Sequence, residues 1–164
     1  MTSTSYVVRR GGTSDAVMLR AIRLESLLDT PEAYGSTYEE ASAWSDDRWR
    51  TAARQWHFYL AERDDEVVGM VSGGFNDAAP GTHWMYGMYV SPAARGTGVA
   101  ASLVEATCDW AVGRGAGALH LQVTESVVRA RAFYERSGFL ATGATITMDR
   151  DPSIRLMTMV KSLV

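Results

Sequence analysis

Val90-Ser91-Pro92-Ala93-Ala94-Arg95-Gly96-Thr97-Gly98-Val99-Ala100 decides how the rest of the 164-residue chain is read. The apolar run Met85 to Val90 reads as a strand that ends at Pro92, because proline cannot continue a hydrogen-bonded ladder. Arg95-Gly96-Thr97-Gly98 follows, and an amphipathic helical pattern begins near Val99. Strand, glycine-bearing loop and helix start together make a local anion site. Glycines let backbone N–H groups converge on a ligand, and the helix dipole adds partial positive charge. Arg95 adds a full charge. The loop is not a Walker cradle, since no Gly-Lys-Ser/Thr follows. Taken alone it fits an ordinary strand–turn–helix corner equally well.

Upstream, Tyr6 to Arg10 reads as a short strand closed by Gly11-Gly12. Thr13 or Ser14 is the expected N-cap of a first helix, with Asp15 in its first turn. Val17, Met18, Ala21, Leu24, Leu27 and Leu28 recur at helical spacing to about Asp29, and Thr30-Pro31 breaks the pattern. Pro31 to Ser45 is turn-rich. Ser45-Asp46-Asp47 starts a second helix that runs to about Trp56. Phe58–Arg63 and Val67–Phe75 flank the polar turn Asp64-Asp65-Glu66 and should form a hairpin. After a loop comes the strand His83–Val90.

Downstream of the glycine loop, Val99, Leu103, Ala106, Trp110 and Ala111 mark the buried stripe of a helix that Gly113-Arg114-Gly115 ends. Ala118–Val123 is the next strand and Ser126–Ser137 the next helix. Phe139–Thr145 and Ile154–Val164 read as closing strands joined through Asp149-Arg150-Asp151-Pro152. The expectation is one mixed α/β domain over residues 1–164 with a mostly antiparallel sheet.

The composition narrows the function classes. Formal charge is −3 with no basic stripe, which argues against nucleic-acid binding. No apolar run approaches membrane-helix length, and the first residues lack a signal-peptide pattern. Cys108 is the single cysteine, so an internal disulfide is excluded, which fits a reducing cytoplasm. Three His and one Cys at scattered positions give no metal-site spacing.

A second stretch adds specificity. Leu121-Gln122-Val123 ends a strand, a helix carrying Tyr134 follows, and Gly138-Phe139 closes it. Together the two stretches resemble the GCN5-related N-acetyltransferase (GNAT) superfamily. Its Arg/Gln-x-x-Gly-x-Gly/Ala loop is matched by Arg95, Gly98 and Ala100, and its next motif by Val123, Tyr134, Gly138 and Phe139. Val127 stands where that family often carries Asn. The resemblance implies a GNAT-like mixed α/β (α+β) fold whose fourth and fifth strands splay apart to form a cleft.

The resemblance further implies acetyl-CoA as cosubstrate, with no metal. Main chain at Met88, Tyr89 and Val90 would pair with pantetheine and polarise the acetyl carbonyl. Arg95, Gly96, Thr97, Gly98, Val99, Ala100 and Ala101 would hold the pyrophosphate. Tyr134 would be the general acid toward the leaving thiolate. An alkyl amine is only about one part in a thousand neutral at pH 7, so a base or selection of the neutral form is needed. The fourth strand offers no carboxylate; His83 and Glu125 are the candidate bases, along with an acid from Asp29–Asp47. Those acids, interleaved with Tyr34, Tyr38, Trp44 and Trp49, would suit a cationic small-molecule amine. The alternatives are a non-catalytic CoA-binding module, a nucleotide-binding protein using the glycine loop alone, or transfer to a protein N-terminus or Lys. Monomer and homodimer both stay open.

Overall fold

The computed structural model describes residues 5–164. Seven strands form one sheet in the order β1-β2-β3-β4-β5-β7-β6. They are β1 Val7–Arg10, β2 His57–Arg63, β3 Glu66–Phe75, β4 His83–Val90, β5 Ala118–Thr124, β6 Leu140–Met148 and β7 Asp151–Ser162. Every pairing is antiparallel except that of β4 with β5. There a single pair, Trp84 with His120, joins the strands near their starts. Beyond it their C-terminal halves separate, and this opening positions the site.

Two cores lie on opposite faces of the sheet. On one face, α4 (Val99–Gly113) packs Leu103, Trp110 and Ala111 against Ala61, Val71 and Met85. Two glycines of β3 allow that approach. A Cβ on Gly69 would meet Leu103 at 3.1 Å, and one on Gly73 would meet the Trp110 ring at 2.6 Å. The other face carries α1 (Ala16–Asp29) and α3 (Asp46–Gln55), which bury Leu19, Ile22, Trp49 and Ala53 against Phe58, Leu60 and Met70. Helix α5 (Val128–Arg136) follows β5 and sends Tyr134 into the first core.

Four local readings change. Thr13–Asp15 forms a 3₁₀ turn, so α1 begins two residues later than a Thr13 cap implies. The Asp15 carboxylate accepts the Gly12 N–H at 2.9 Å and is itself buried. The stretch expected as turns contains α2, Tyr38–Ser42. Its start is a capping box: Thr37 Oγ1 accepts the Glu40 N–H, and Glu40 Oε2 accepts the Thr37 N–H. In α4 the buried positions include Val104 and Thr107, while Ala106 is only half-buried. The β6–β7 turn is also tighter than expected. Asp151-Pro152 lies inside β7, where that strand has β6 alone as neighbour, and an edge position tolerates proline.

Candidate active site

Between β4 and β5 lies a cleft of about 570 Å³. Its floor is the separated strands, with Met88 to Val90 on one side and Leu121 to Thr124 on the other. The β3–β4 ladder pairs Met70 with Tyr89 and Ser72 with Tyr86, so β4 carries one residue more than β3 across this interval. That is a β-bulge at Gly87-Met88, with Gly87 at φ 62°. It re-aims the main chain of β4 just where the cleft opens.

One end of the cleft is the glycine loop. Gly96 and Gly98 sit at φ 77° and 93°, the left-handed region that glycine adopts at little cost. The α4 ladder begins with Ser102 N–H to Gly98 O at 3.1 Å. The amides of Val99, Ala100 and Ala101 thus lack a helical partner, as expected of a first turn. A Cβ on Gly96 would meet nothing within 4 Å, so the main chain there is open to a ligand. Such a concave set of free amides at a helix N-terminus is chemically suited to a phosphate group. Thr97 Oγ1 donates to the Ala94 carbonyl and pins the loop.

Arg95 is committed differently from the sequence expectation. Its Nη2 donates to Asp29 Oδ2 at 2.6 Å and its Nε to the Val90 carbonyl at 3.0 Å. The half-buried pair straps the glycine loop to the end of β4 and to α1, and the hydrogen bonds from Thr30 and Arg95 hold the Asp29 carboxyl below its usual range.

Opposite the loop, Pro31 to Gly35 closes over the cleft. The Tyr34 hydroxyl donates to the Met88 carbonyl at 2.8 Å, and Thr124 Oγ1 donates to the Glu32 carbonyl at 2.7 Å. Arg150, in the β6–β7 turn, donates to the carbonyls of Pro31 and Tyr34 at 2.5 and 2.9 Å. Burial pushes the Tyr34 phenol up to about 12. Tyr134 lines the cleft from α5, with Phe133 and Phe139 ring centroids 5.3 and 5.8 Å away. Its hydroxyl makes no hydrogen bond among the described residues, and burial raises its pKa well above the phenolic range.

Tyr134, Met88, Tyr89, Val90, Arg95, Gly96, Gly98, Ala100 and Ala101 thus come together around one cleft. The Tyr89 ring packs in the core beneath α1. Val127 is the N-cap of α5 and makes no side-chain cap bond. The two candidate bases lie elsewhere. His83 begins β4, far from its splayed end, with its ring 5.2 Å from Phe75 and 5.5 Å from Trp110. Glu125 lies just past β5, half-exposed, with Oε2 3.4 Å from Arg155 Nε. The acids of residues 29–47 are equally absent from the lining. Asp29 is held by Arg95, Glu40 caps α2, and Asp47 pairs with Arg50. Of the aromatics in that segment only Tyr34 reaches the cleft; Trp49 is core, and the Trp44 ring packs tilted against it with centroids 4.8 Å apart. Among the described residues no Asp or Glu lines the cleft.

A sheet parted between two parallel strands, with a bulge on one side and a glycine-led helix at the mouth, is the frame of an acetyl-CoA-using acyltransferase. The sequence model of the acetyltransferase (GNAT) family matches residues 21–139, and the chain belongs to that family. Solved structures agree on the fold. The yncA protein of Salmonella typhimurium, in a structure with its cofactor acetyl-CoA, has a TM-score of 0.78 at 19% identity, covering 98% of this chain and 95% of that one. A GCN5-related N-acetyltransferase from Kribbella flavida gives 0.74 at 23%, covering 96% and 97%. The ribosomal-protein-alanine N-acetyltransferase of Brucella melitensis gives 0.70 at 22%, covering 95% and 99%. No curated protein gives a sequence match.

Proposed function

We propose that the protein transfers acetyl from acetyl-CoA to the primary amine of a small molecule, within the splayed β4/β5 cleft. The observation that carries this reading is the juxtaposition of the free amides at the start of α4, the β4 bulge and Tyr134 around one cleft. The pyrophosphate would rest on the amides from Gly96 to Ala101, with Gly98 permitting close approach. Pantetheine would add to β4 beside Met88–Val90 as an extra strand. A main-chain N–H of Tyr89 or Val90 would donate to the acetyl oxygen, where negative charge develops. The reaction supplied is acyl exchange: the neutral amine nitrogen bonds to the thioester carbonyl carbon and gives up one proton, the C–S bond breaks, and the thiolate takes up a proton and leaves as the thiol. Tyr134 would hold that proton near the sulfur.

The proton on the amine is handled by exclusion. Arg23, Arg95 and Arg129 line the cleft and no carboxylate does, so the field inside disfavours an ammonium ion. The cleft would select the neutral amine, with the base role assigned to bulk water instead of to His83 or Glu125. With one cysteine and an intracellular cosubstrate, the cytoplasm is the proposed place of work, and monomer or homodimer the proposed assembly. A thiol-release assay with acetyl-CoA over a panel of amines, proteins and peptides tests the reading. Release that depends on a small amine, with formation of its N-acetyl product, is expected. Tight CoA binding with no release on any acceptor would leave a binding module instead.

A further inference from the structure

Arg23 lies midway along α1, at a position where the helix points its apolar stripe inward. Its guanidinium stands over the Tyr34 ring, 4.8 Å from the centroid, and Nη1 is 3.8 Å from where a Cβ on Gly87 would be. Nη1 is buried and no group among the described residues accepts a hydrogen bond from it. No carboxylate pairs with Arg23 among the described residues. Burial lowers its pKa from the ordinary value, the direction expected of an uncompensated cation. A buried charge without a partner costs stability, so the fold retains it against its own interest.

The surroundings indicate what it would hold. A second cavity of about 660 Å³ meets the cleft at Arg23, Tyr86 and Gly87. It too has no Asp or Glu in its walls, while Arg10 and Arg114 add positive charge. Arg10 donates only to the main-chain carbonyls of Gly11 and Phe58, and Arg114 lies over Phe75 at 5.1 Å. Neither is ion-paired among the described residues. Such a junction repels cationic acceptors and is complementary to an anion.

We infer that Arg23 binds a carboxylate of the acceptor, so that the substrate class is an amino acid or another short amine bearing a carboxylate. The inference rests on the acetyl-transfer reading above and deepens it. A guanidinium presents a planar fork that matches a carboxylate and supplies two parallel N–H donors. Gly87 adjoins Met88, so the carboxylate would sit close to the reacting amine, on the scale of an α- or β-amino acid. Pairing there also explains the charge: the anion completes a cation that the protein leaves unmatched.

The test compares L-amino acids with their amides, in matched pairs, for wild type, Arg23→Lys and Arg23→Met. The acids are expected to exceed the amides in kcat/KM by at least about tenfold, Arg23→Lys to keep part of the preference, and Arg23→Met to lose it through KM. Met keeps an apolar stem and removes the lone charge, so its Tm is expected to equal or exceed that of wild type. An activity-independent arm titrates N-acetyl-L-amino acids and their amides into the CoA-bound protein by calorimetry. Arg23-dependent binding of the acids without any turnover would keep the carboxylate site and overturn acetyl transfer. Turnover with acids and amides equal, or a preference that survives Arg23→Met, would overturn the carboxylate site and keep acetyl transfer. Neither binding nor turnover of the amino acids would overturn the carboxylate site, and acetyl transfer would then stand or fall on the wider amine panel.

Discussion

The Tyr34 hydroxyl donates a 2.8 Å hydrogen bond to the Met88 carbonyl, tying the segment between α1 and α2 to the bulge of β4. This bond settles which face of the bulged strand remains available. The Met88 carbonyl is turned to the protein, so in the proposed reaction the neighbouring amides would be the donors. Tyr34→Phe removes the donor and leaves a half-buried carbonyl short of one partner. A net hydrogen bond is worth about 0.5–1.5 kcal/mol, and more when its loss orphans a buried group. The expected outcome is a stability loss of about 1–2 kcal/mol by chemical unfolding, together with a raised KM for the acceptor. An unaltered acceptor KM would confine Tyr34 to holding the fold.

The glycine loop should govern acetyl-CoA affinity. Gly98 holds φ at 93° and caps α4, and a Cβ there would lie 3.1 Å from the Tyr6 hydroxyl. That hydroxyl is hydrogen-bonded to Ser102 Oγ at 2.8 Å, so it has little room to retreat. Gly98→Val is expected to strain the loop and to weaken acetyl-CoA binding by at least about tenfold, equivalent to about 1.4 kcal/mol. Gly98→Ala should show a smaller effect of the same sign. Arg95→Ala should act through the loop as well, since it frees Asp29 and the Val90 carbonyl. Calorimetry with acetyl-CoA, beside a melting curve for each variant, reads the outcome. Wild-type affinity in folded Gly98→Val would reject the cradle.

Acid stability should carry the signature of Asp15. This buried carboxylate accepts from Arg9 at 2.7 and 2.9 Å and from the Gly12 amide at 2.9 Å, and Arg9 also reaches Glu62 at 2.9 Å. The Arg9 hydrogen bonds hold the Asp15 pKa below its ordinary value. A depressed folded pKa contributes stability that is complete above the unfolded value, about 3.9, and is lost as pH falls through the folded one. Urea midpoints should therefore be level in this respect from pH 7 to about 5 and drop below about 4. Asp15→Asn should cost about 1–3 kcal/mol at neutral pH, with the gap to wild type narrowing in acid. A gap of constant size down to pH 2 would assign the loss to packing alone.

Much of this architecture could be read from the chain because period and punctuation agree there. Pro92, the paired glycines and the 3.6-residue stripe from Val99 fix a strand, a turn and a helix independently of context. Thr37 and Glu40 stand three apart in a capping-box pattern, which the surrounding aromatics and the shortness of α2 obscure. The acids expected on the acceptor side do not line the cleft, and the reason is physical. Sequence shows where carboxylates occur but not what they are committed to, and here caps and ion pairs consume Asp29, Glu40 and Asp47. Arg23 left a signal in its place on a buried helix stripe, four residues past Leu19 and three before Ser26. The long-range ties of Arg150 to Pro31 and Tyr34 left none, because 116 or more residues separate the partners.

Tyr134 carries the sharpest mechanistic expectation. It lines the cleft with its ring held between Phe133 and Phe139, and its hydroxyl has no acceptor among the described residues. An ordinary thiol near 8.5 and a phenol near 10 make full proton transfer uphill by about 1.5 units, or about 2 kcal/mol. Burial raises the Tyr134 phenol further, so it remains protonated throughout the working range and, in the proposed reaction, would act on the departing sulfur chiefly as a hydrogen-bond donor. Tyr134→Phe keeps the ring and its packing. It should lower kcat by about 10²-fold, the low end of positioned acid catalysis, with little change in the KM for acetyl-CoA. The sign of the pKa shift adds a second expectation: wild-type kcat should show no decline from Tyr134 ionisation as pH rises from 7 to about 10. Pre-steady-state traces establish whether chemistry limits turnover. If it does, and kcat is unchanged in Tyr134→Phe, the hydroxyl takes no part in the reaction and the residue only packs beneath the cofactor.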